Sequence, residues 1–363
     1  MMRIAEILIE PKYPIKTSGE IVIENLIAQI KQIYGNKYDI TIIKRSEFKI
    51  DSIVNGIFSM VETRIIRSIL IFLLGVIILP KINTILKNFD VVIINGYFTA
   101  VFLFPYLIIK KKKSIYCPHT NVKPTKINAW LMNFFDAVVF LSDYNRQELI
   151  NKNKKLASKT YVIYNFVQNN KVKIKKNIKK NSLEYLFVGR AVEVKRPWLF
   201  IESIIEAVKL NRNIKATMVI SKGSLENKIK EMIIDAEKKY NCKISLFQNV
   251  KRTELENIYN KADVFVFTST QDEGFGVVLL EAMQHGLPII CTDHPKFKEI
   301  LRNSALYFND KESLVEKILK LSQDNKLYSK YKSRSLKRFH SFSPQEITKK
   351  WIELFNKLEI QEK

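Results

Sequence analysis

Two glutamates, Glu273 and Glu281, bracket the segment Gly274–Leu280 in a chain of 363 residues. Glu273 falls in a loop, and Glu281 falls about a turn and a half into the helical stretch Val277–His285 that follows. A loop carboxylate can accept hydrogen bonds from a ligand, and a helix carboxylate can accept two from a vicinal diol such as ribose. A loop charge followed by a helix-surface charge would give the same spacing, so the pair needs its surroundings.

Those surroundings are marked by glycine, of which there are only ten. Ordinary usage of about 7% would give roughly 25, so each one should mark a place where the backbone needs positive φ or a close approach. Five of them (Gly19, Gly189, Gly223, Gly274 and Gly276) fall at strand-to-helix turns. A helix opened by glycine presents unpaired N–H groups and the positive end of its dipole, which suits phosphate. Gly286, before Leu287-Pro288, is a helix stop. The pattern is neither the G-x-G-x-x-G dinucleotide fingerprint nor a P-loop.

Metal chemistry has little to build on. Cys117, Cys242 and Cys291 are far apart and odd in number, which argues against a disulfide framework or a cysteine zinc site. His285 and His294 lack companion ligands at metal spacing, and no Asp-x-Asp sequence occurs. No metal or cofactor is expected.

The elements that must position these residues alternate from end to end. Strands are expected near Ile4–Ile9, Tyr38–Ile43, Val91–Ile94, Ser114–Cys117, Ala137–Leu141 and Tyr161–Ile163. Helices are expected at Gly19–Tyr34, Phe98–Lys110, Thr125–Phe135 and Asp143–Lys152. Residues 168–182, rich in Lys and Asn, are expected to be a linker. Strands Tyr185–Val188, Ala216–Ile220, Ile244–Phe247, Val264–Thr268 and Pro288–Cys291 then alternate with helices at Pro197–Leu210, Leu225–Lys239, Thr253–Lys261 and Val277–His285. The expected fold is α/β, with two doubly wound, parallel, Rossmann-like domains (1–167 and 183–342) facing across a cleft. A C-terminal helix within 343–363 would cross back to the first domain. Ligands of such sheets bind outside the carboxyl ends of the strands.

The stretch EGFGVVLLEAMQHGLPIICTD, Glu273 to Asp293, resembles the C-terminal signature of glycosyltransferase family 4, the retaining group 1 enzymes of GT-B architecture. Other segments follow in that family's order: PIKTSGE around Gly19, SIYCPHT around His119, VFLSDYNRQEL, VIYNFV, and FVGRAVEVKRP with Arg190 and Lys195. The resemblance is weakest at residues 45–110 and 300–363. It implies a first domain that recognises the acceptor and a second that binds a nucleotide sugar. It further implies that Arg190 and Lys195, beside Gly189, hold the donor diphosphate, as a planar fork and a point charge. Backbone N–H groups of Gly276, Val277 and Val278 would stabilise the departing nucleoside diphosphate. Glu281 would bind ribose. Glu273, with backbone of Gly274 and Phe275, would contact the sugar, and His119 would face it. Asn249 and Val250 would lie at the base, and Gly19 in the N-terminal glycine loop. There are departures: Asn165-Phe166-Val167-Gln168 replaces Asn-Gly-Val-Asp, and His294-Pro295-Lys296 replaces a glycine pair. Gly19 stands single, and Gln248-Asn249-Val250 lacks a glycine.

The resemblance implies transfer of a sugar to a glycan or lipid-linked acceptor in cell-surface polysaccharide or glycolipid synthesis. UDP, the family's most frequent carrier, is the expected one. The formal charge of +24 fits an anionic membrane surface or compositional bias; no nucleic-acid motif is present, so a nucleic-acid partner is not expected. No secretory signal is expected from the N-terminal residues MMRIAEILIE. The longest apolar run, Ile69 to Pro80, is too short to span a bilayer and suits a buried or interfacial helix. The expectation is a cytoplasmic, peripheral membrane protein; oligomeric state is left open. Two other readings are a catalytically inert polyanion-binding protein on the same fold and a nucleotide-sugar epimerase. A glycosidase is disfavoured, because one carboxylate of the pair would be committed to ribose.

Overall fold

The computed structural model describes residues 1–8, 18–110, 112–119, 123–168 and 182–360. The chain divides into two compact units, Met1–Asn165 with Pro344–Lys363, and Phe166–Ser343. Of the linker expected at 168–182, only Gln168 and Ser182 lie within the described residues.

The first unit holds a parallel sheet in the order β2-β1-β3-β4-β5-β6. Its strands are β1 (Met2–Leu8), β2 (Tyr38–Lys44), β3 (Val91–Asn95), β4 (Lys113–Cys117), β5 (Ala137–Phe140) and β6 (Thr160–Val162). Its helices are α1 (Ser18–Tyr34), α2 (Asp51–Met60), α3 (Arg64–Ile77), α4 (Leu79–Leu86), α5 (Tyr97–Lys110), α6 (Lys126–Met132) and α7 (Asp143–Ile150). The chain leaves β1 for β2 on one side and returns to β3 on the other. The carboxyl ends of β1 and β3 therefore form a topological switch point, where such sheets open a crevice.

Every residue of β3 is buried, as its run of apolar residues requires when helices cover both faces. The long stretch between β2 and β3 folds as α2, α3 and α4. The apolar run Ile69 to Pro80 is not one helix, because α3 ends at Ile77 and α4 leaves it at a 69° bend. Its role is both buried and surface. Ile71 and Leu74 enter the core, while Ile69, Leu73 and Ile77 are exposed. Gly75 allows α3 onto α5, since a Cβ there would sit 2.1 Å from the Phe102 carbonyl oxygen. Among the described residues no single helix is long and apolar enough to cross a membrane.

The second unit holds a parallel sheet in the order β12-β11-β10-β7-β8-β9. The strands are β7 (Leu183–Arg190), β8 (Ile214–Ser221), β9 (Ile244–Gln248), β10 (Val264–Phe267), β11 (Ile289–Thr292) and β12 (Ala305–Phe308). The helices are α8 (Pro197–Leu210), α9 (Glu226–Tyr240), α10 (Arg252–Lys261), α11 (Val277–Gln284), α12 (Pro295–Leu301), α13 (Lys311–Gln323) and α14 (Asn325–Phe339). Here the switch point lies between β7 and β10. The sequence reading did not foresee β12 or the three helices α12 to α14.

The last helix, α15 (Pro344–Ile360), belongs to the first unit. It buries Ile347, Leu354 and Phe355, and Tyr38 donates a 2.7 Å hydrogen bond to its Asn356.

Candidate active site

Of the residues singled out in the second unit, Gly189, Arg190, Lys195 and Glu273 come together at the β7–β10 switch point. Strand β7 ends in Gly189-Arg190, and the short turn Glu193–Lys195 leads into α8. The loop after β10 carries Glu273. Its carboxylate pairs with the Lys195 ammonium, and both side chains are largely buried. Burial alone would raise the Glu273 pKa, but Lys195, Lys296 and Arg190 together outweigh it and hold the carboxyl below its ordinary value. Arg190 itself is exposed. A side chain at Gly189 would crowd Phe187 and Lys195.

Lys195 and Arg196 are neighbours with different tasks. Arg196 adopts φ 44° and turns into the protein, where it donates to the Thr268 carbonyl (2.6 Å) and the Thr292 hydroxyl (2.8 Å). It ties the ends of β10 and β11 together. That leaves Lys195 as the cation of the pair turned toward Glu273.

Lys296 went unrecognised in the sequence. It stands where a glycine pair is usual, at the start of α12, and is fully buried. Its ammonium donates to the carbonyls of Gln271 (2.7 Å) and Glu273, so it fastens the Glu273 loop from below. His294 is the N-cap of α12 and accepts from the Lys296 amide. The substitution of the glycine pair therefore installs a cation under the site.

Helix α11 opens at Gly276 with φ 77°, a conformation that L residues rarely adopt, and an added Cβ would meet the Phe267 ring at 3.0 Å. Val277 and Val278 are its first two residues, and their N–H groups have no acceptor within the helix. The Phe275 ring is buried edge-on to Phe342 and so turned into the protein. Asn249, at the end of β9, takes φ 50°, which asparagine tolerates better than most residues. It supplies the positive φ that the missing glycine would have supplied. Val250 follows it, half-buried.

Glu281 is buried, with an Arg252 guanidinium on Oε1 and the Tyr259 hydroxyl donating to Oε2 at 2.9 Å. Burial, then the Glu281 charge, pushes the Tyr259 pKa well up, so its hydroxyl stays a donor. His285 stacks on the Tyr259 ring, with its Nδ1 2.8 Å from the Glu281 carbonyl oxygen. A carboxylate offers about four acceptor sites, so two contacts leave capacity for a diol. Neither Arg252 nor Tyr259 is among the residues marked by the sequence; α10 carries both.

The first unit holds a second polar cluster, at its own switch point. Asn95 ends β3 and donates to Glu6 Oε1 of β1 (3.2 Å) and to the Ile7 carbonyl (3.4 Å). Its Oδ1 is thus the acceptor turned to His119 Nε2, at 2.6 Å. Nε2 then carries the proton, and Nδ1 is left as an acceptor. Burial lowers the His119 pKa to about 4, so the ring is neutral. Burial also raises that of Glu6 to about 7, against the Asn95 hydrogen bond. His119 has φ 51°, a strained conformation that needs support from its surroundings. Glu6 and Asn95 were missed, though a glutamate inside an apolar strand and an asparagine closing another were the available signals. Gly19 lies in the first turn of α1, but the loop before it is outside the described residues. All three cysteines are buried and free. No group of three His, Cys, Asp or Glu suited to a metal occurs among the described residues.

Two family models match. The one described as "Glycosyl transferases group 1" covers residues 168–338, and the one described as "Glycosyltransferase Family 4" covers residues 50–171. The O-antigen chain mannosyltransferase RfbU of Salmonella typhimurium is 32% identical over 170 residues, 46% of this chain and 45% of that protein. The chain thus matches less than half the length of that curated relative. Among solved structures, Anabaena HepE in complex with UDP and glucose superposes with a TM-score of 0.74 at 15% identity, covering 98% of this chain and 100% of that one. The α,α-trehalose-phosphate synthase (UDP-forming) of Burkholderia vietnamiensis gives 0.78 at 10% identity, covering 99% of both chains. At these identities the structural matches establish the fold.

Proposed function

Because this chain belongs to the group 1 glycosyltransferases of family 4 and has their GT-B fold, we propose that it is a retaining hexosyltransferase. It transfers a sugar from a nucleoside diphosphate donor to a glycan or lipid-linked acceptor, in the building of a cell-surface polysaccharide or glycolipid. The observation that carries this reading is the β7–β10 cluster, where Arg190, Lys195 and Lys296 surround Glu273 beside the open N-terminus of α11.

The roles follow from charge and reach. Arg190 and Lys195 take the diphosphate, and the Gly276, Val277 and Val278 amides stabilise charge as the nucleoside diphosphate departs. These groups supply charge that a divalent metal could otherwise provide. Glu281 accepts from the ribose hydroxyls, with Arg252 and Tyr259 holding it in place. Asn249 and Val250 flank the base. Glu273, with backbone of Gly274 and Phe275, accepts from the sugar hydroxyls. His119, neutral in the first unit, presents Nδ1 as an acceptor for a hydroxyl. In the family's front-face chemistry the leaving phosphate helps to deprotonate the acceptor, and sugar configuration is retained.

HepE, solved with UDP and glucose, supports UDP as the carrier to test first. The Salmonella relative, named as a mannosyltransferase of O-antigen, supports a surface polysaccharide and makes mannose the first sugar to try. The basic charge and the exposed apolar face of α3 support work at the cytoplasmic face of a membrane. A thermal-shift panel of UDP, GDP, ADP and their sugars tests the reading. A shift with one nucleotide series is expected and identifies the base. No shift with any would sink the enzyme reading in favour of an inert polyanion-binding protein. Release of free nucleoside diphosphate only when an acceptor is present would exclude an epimerase.

A further inference from the structure

The first unit contains a cavity of about 370 Å³ between α3, α5 and α6, within the size range of small-molecule sites, roughly 300–1,000 Å³. It has two chemically different ends. Arg64, Tyr97 and Lys123 lie where α3, α5 and the approach to α6 begin, and α5 starts directly after β3. This is the carboxyl edge of the sheet, where Asn95 and His119 also lie. The Arg64 guanidinium rests 4.2 Å over the Tyr97 ring, and Tyr97 and Ser68 share a 3.3 Å hydrogen bond. Toward the other end the walls are Phe72, Val101, Phe104, Leu131, Met132 and Phe135.

The lining is mainly apolar, its two charged residues are both cations, and none is acidic. Two of the lining side chains on α3 are themselves exposed, Phe72 at 38% and Ile69 at 53%. Beside the cavity, exposed Phe134 packs edge-on against Phe104 of the lining, and exposed Trp130 packs edge-on to Phe134. Exposed Ile65, Ile69 and Ile127 continue the apolar rim on α3 and α6. A cavity that is cationic at one end and apolar along its length suits an amphiphile with an anionic head.

We infer that this cavity binds the apolar chain of a phosphate-bearing lipid acceptor, with Arg64 and Lys123 on the phosphate and the chain between α3, α5 and α6. The inference rests on the glycosyltransferase reading and narrows its acceptor from glycan or lipid to lipid phosphate. The apolar rim is the route by which such a chain would enter from a bilayer.

The probe is farnesyl phosphate, titrated into the full chain by calorimetry beside farnesol and inorganic phosphate. Farnesyl phosphate should bind saturably, with the other two at least tenfold weaker. Val101→Trp, which fills the cavity, should abolish that binding, with its melting temperature recorded to verify folding. The surface substitution Arg64→Gln should weaken farnesyl phosphate at least fivefold while leaving farnesol unchanged. Absence of saturable binding, or equal binding by both variants, would overturn the assignment, and equal affinity for farnesol would overturn the role of the cations. Nucleotide shifts are recorded in parallel. Nucleotide response without lipid binding removes only this inference, whereas lipid binding without any nucleotide response removes the enzyme reading and leaves a lipid site.

Discussion

Arg190 and Glu281 bind different parts of the proposed donor, so removing each should have a different signature. Arg190 is exposed at the end of β7, and in the proposed function its guanidinium acts on developing phosphate charge. Arg190→Ala should therefore remove most turnover, by about 10²–10³-fold in kcat if it acts as an oxyanion-type donor. Glu281 is proposed to hold the nucleoside, so Glu281→Ala should chiefly weaken nucleotide binding, seen as a lost thermal shift. Steady-state kinetics and the shift assay separate the two; full activity in both variants would mean the site is elsewhere. The two titratable groups on either side of Asn95 in the first unit, Glu6 and His119, make a pH prediction. The folded pKa of Glu6 is raised to about 7, so its contribution to stability is present below its ordinary range and is lost as pH rises toward 7. That of His119 is lowered to about 4, so its contribution is present above about 6.5 and is lost as pH falls. The two oppose one another in mildly acidic solution. Glu6→Gln should remove the first slope, raising stability above pH 7 by on the order of 2–3 kcal/mol and leaving a profile that only falls toward acid. Urea unfolding at several pH values measures it, and an unchanged profile would refute a buried, titrating Glu6.

At the scale of elements, the site is a set of loop ends fastened together by buried cations. Arg196 joins the ends of β10 and β11, and Lys296 at the start of α12 holds the loop that bears Glu273. Lys296→Met keeps the length of the stem but leaves the Gln271 and Glu273 carbonyls without that donor. The expected cost is about 1–3 kcal/mol, together with a rise in donor KM as the Glu273 loop loosens. Denaturant titration and donor kinetics would show it; normal stability and KM would mean the ammonium is dispensable to the loop. Helix α3 works differently. Its Gly75 admits close packing on α5 and its opposite face stays apolar and open, so one helix both completes a core and forms the wall of a cavity.

At the scale of the molecule, the chain returns to its beginning. The last helix, α15, buries Ile347, Leu354 and Phe355 in the first unit, and its Asn356 accepts from Tyr38 of β2. Ending the chain after Ser343 removes that layer from the first unit and leaves the second unit with all six of its strands. Calorimetry of the truncated chain should show the transition of the first unit lowered by many degrees or lost, with that of the second preserved. Loss of both transitions together would show that the two units do not melt separately.

Much of this was legible in the chain itself. Period and composition determined the alternation of buried parallel strands with helices, because a strand covered on both faces must be apolar throughout, as β3 is. The scarce glycines and the Glu273–Glu281 spacing marked the loop that opens α11, since positive φ at Gly276 and the open amides of Val277 and Val278 are local properties. Local pattern could not say which of two adjacent cations was committed. Arg196 is spent on Thr268 and Thr292, more than seventy residues away. Nor could it join Glu6, Asn95 and His119, or close a cavity between α3, α5 and α6. Those groupings depend on strand order, which brings β1 beside β3 and β7 beside β10 across long intervals of sequence. Burial then acts on whatever the sheet has collected, and that is why the pKa shifts and the pocket belong to the tertiary structure alone.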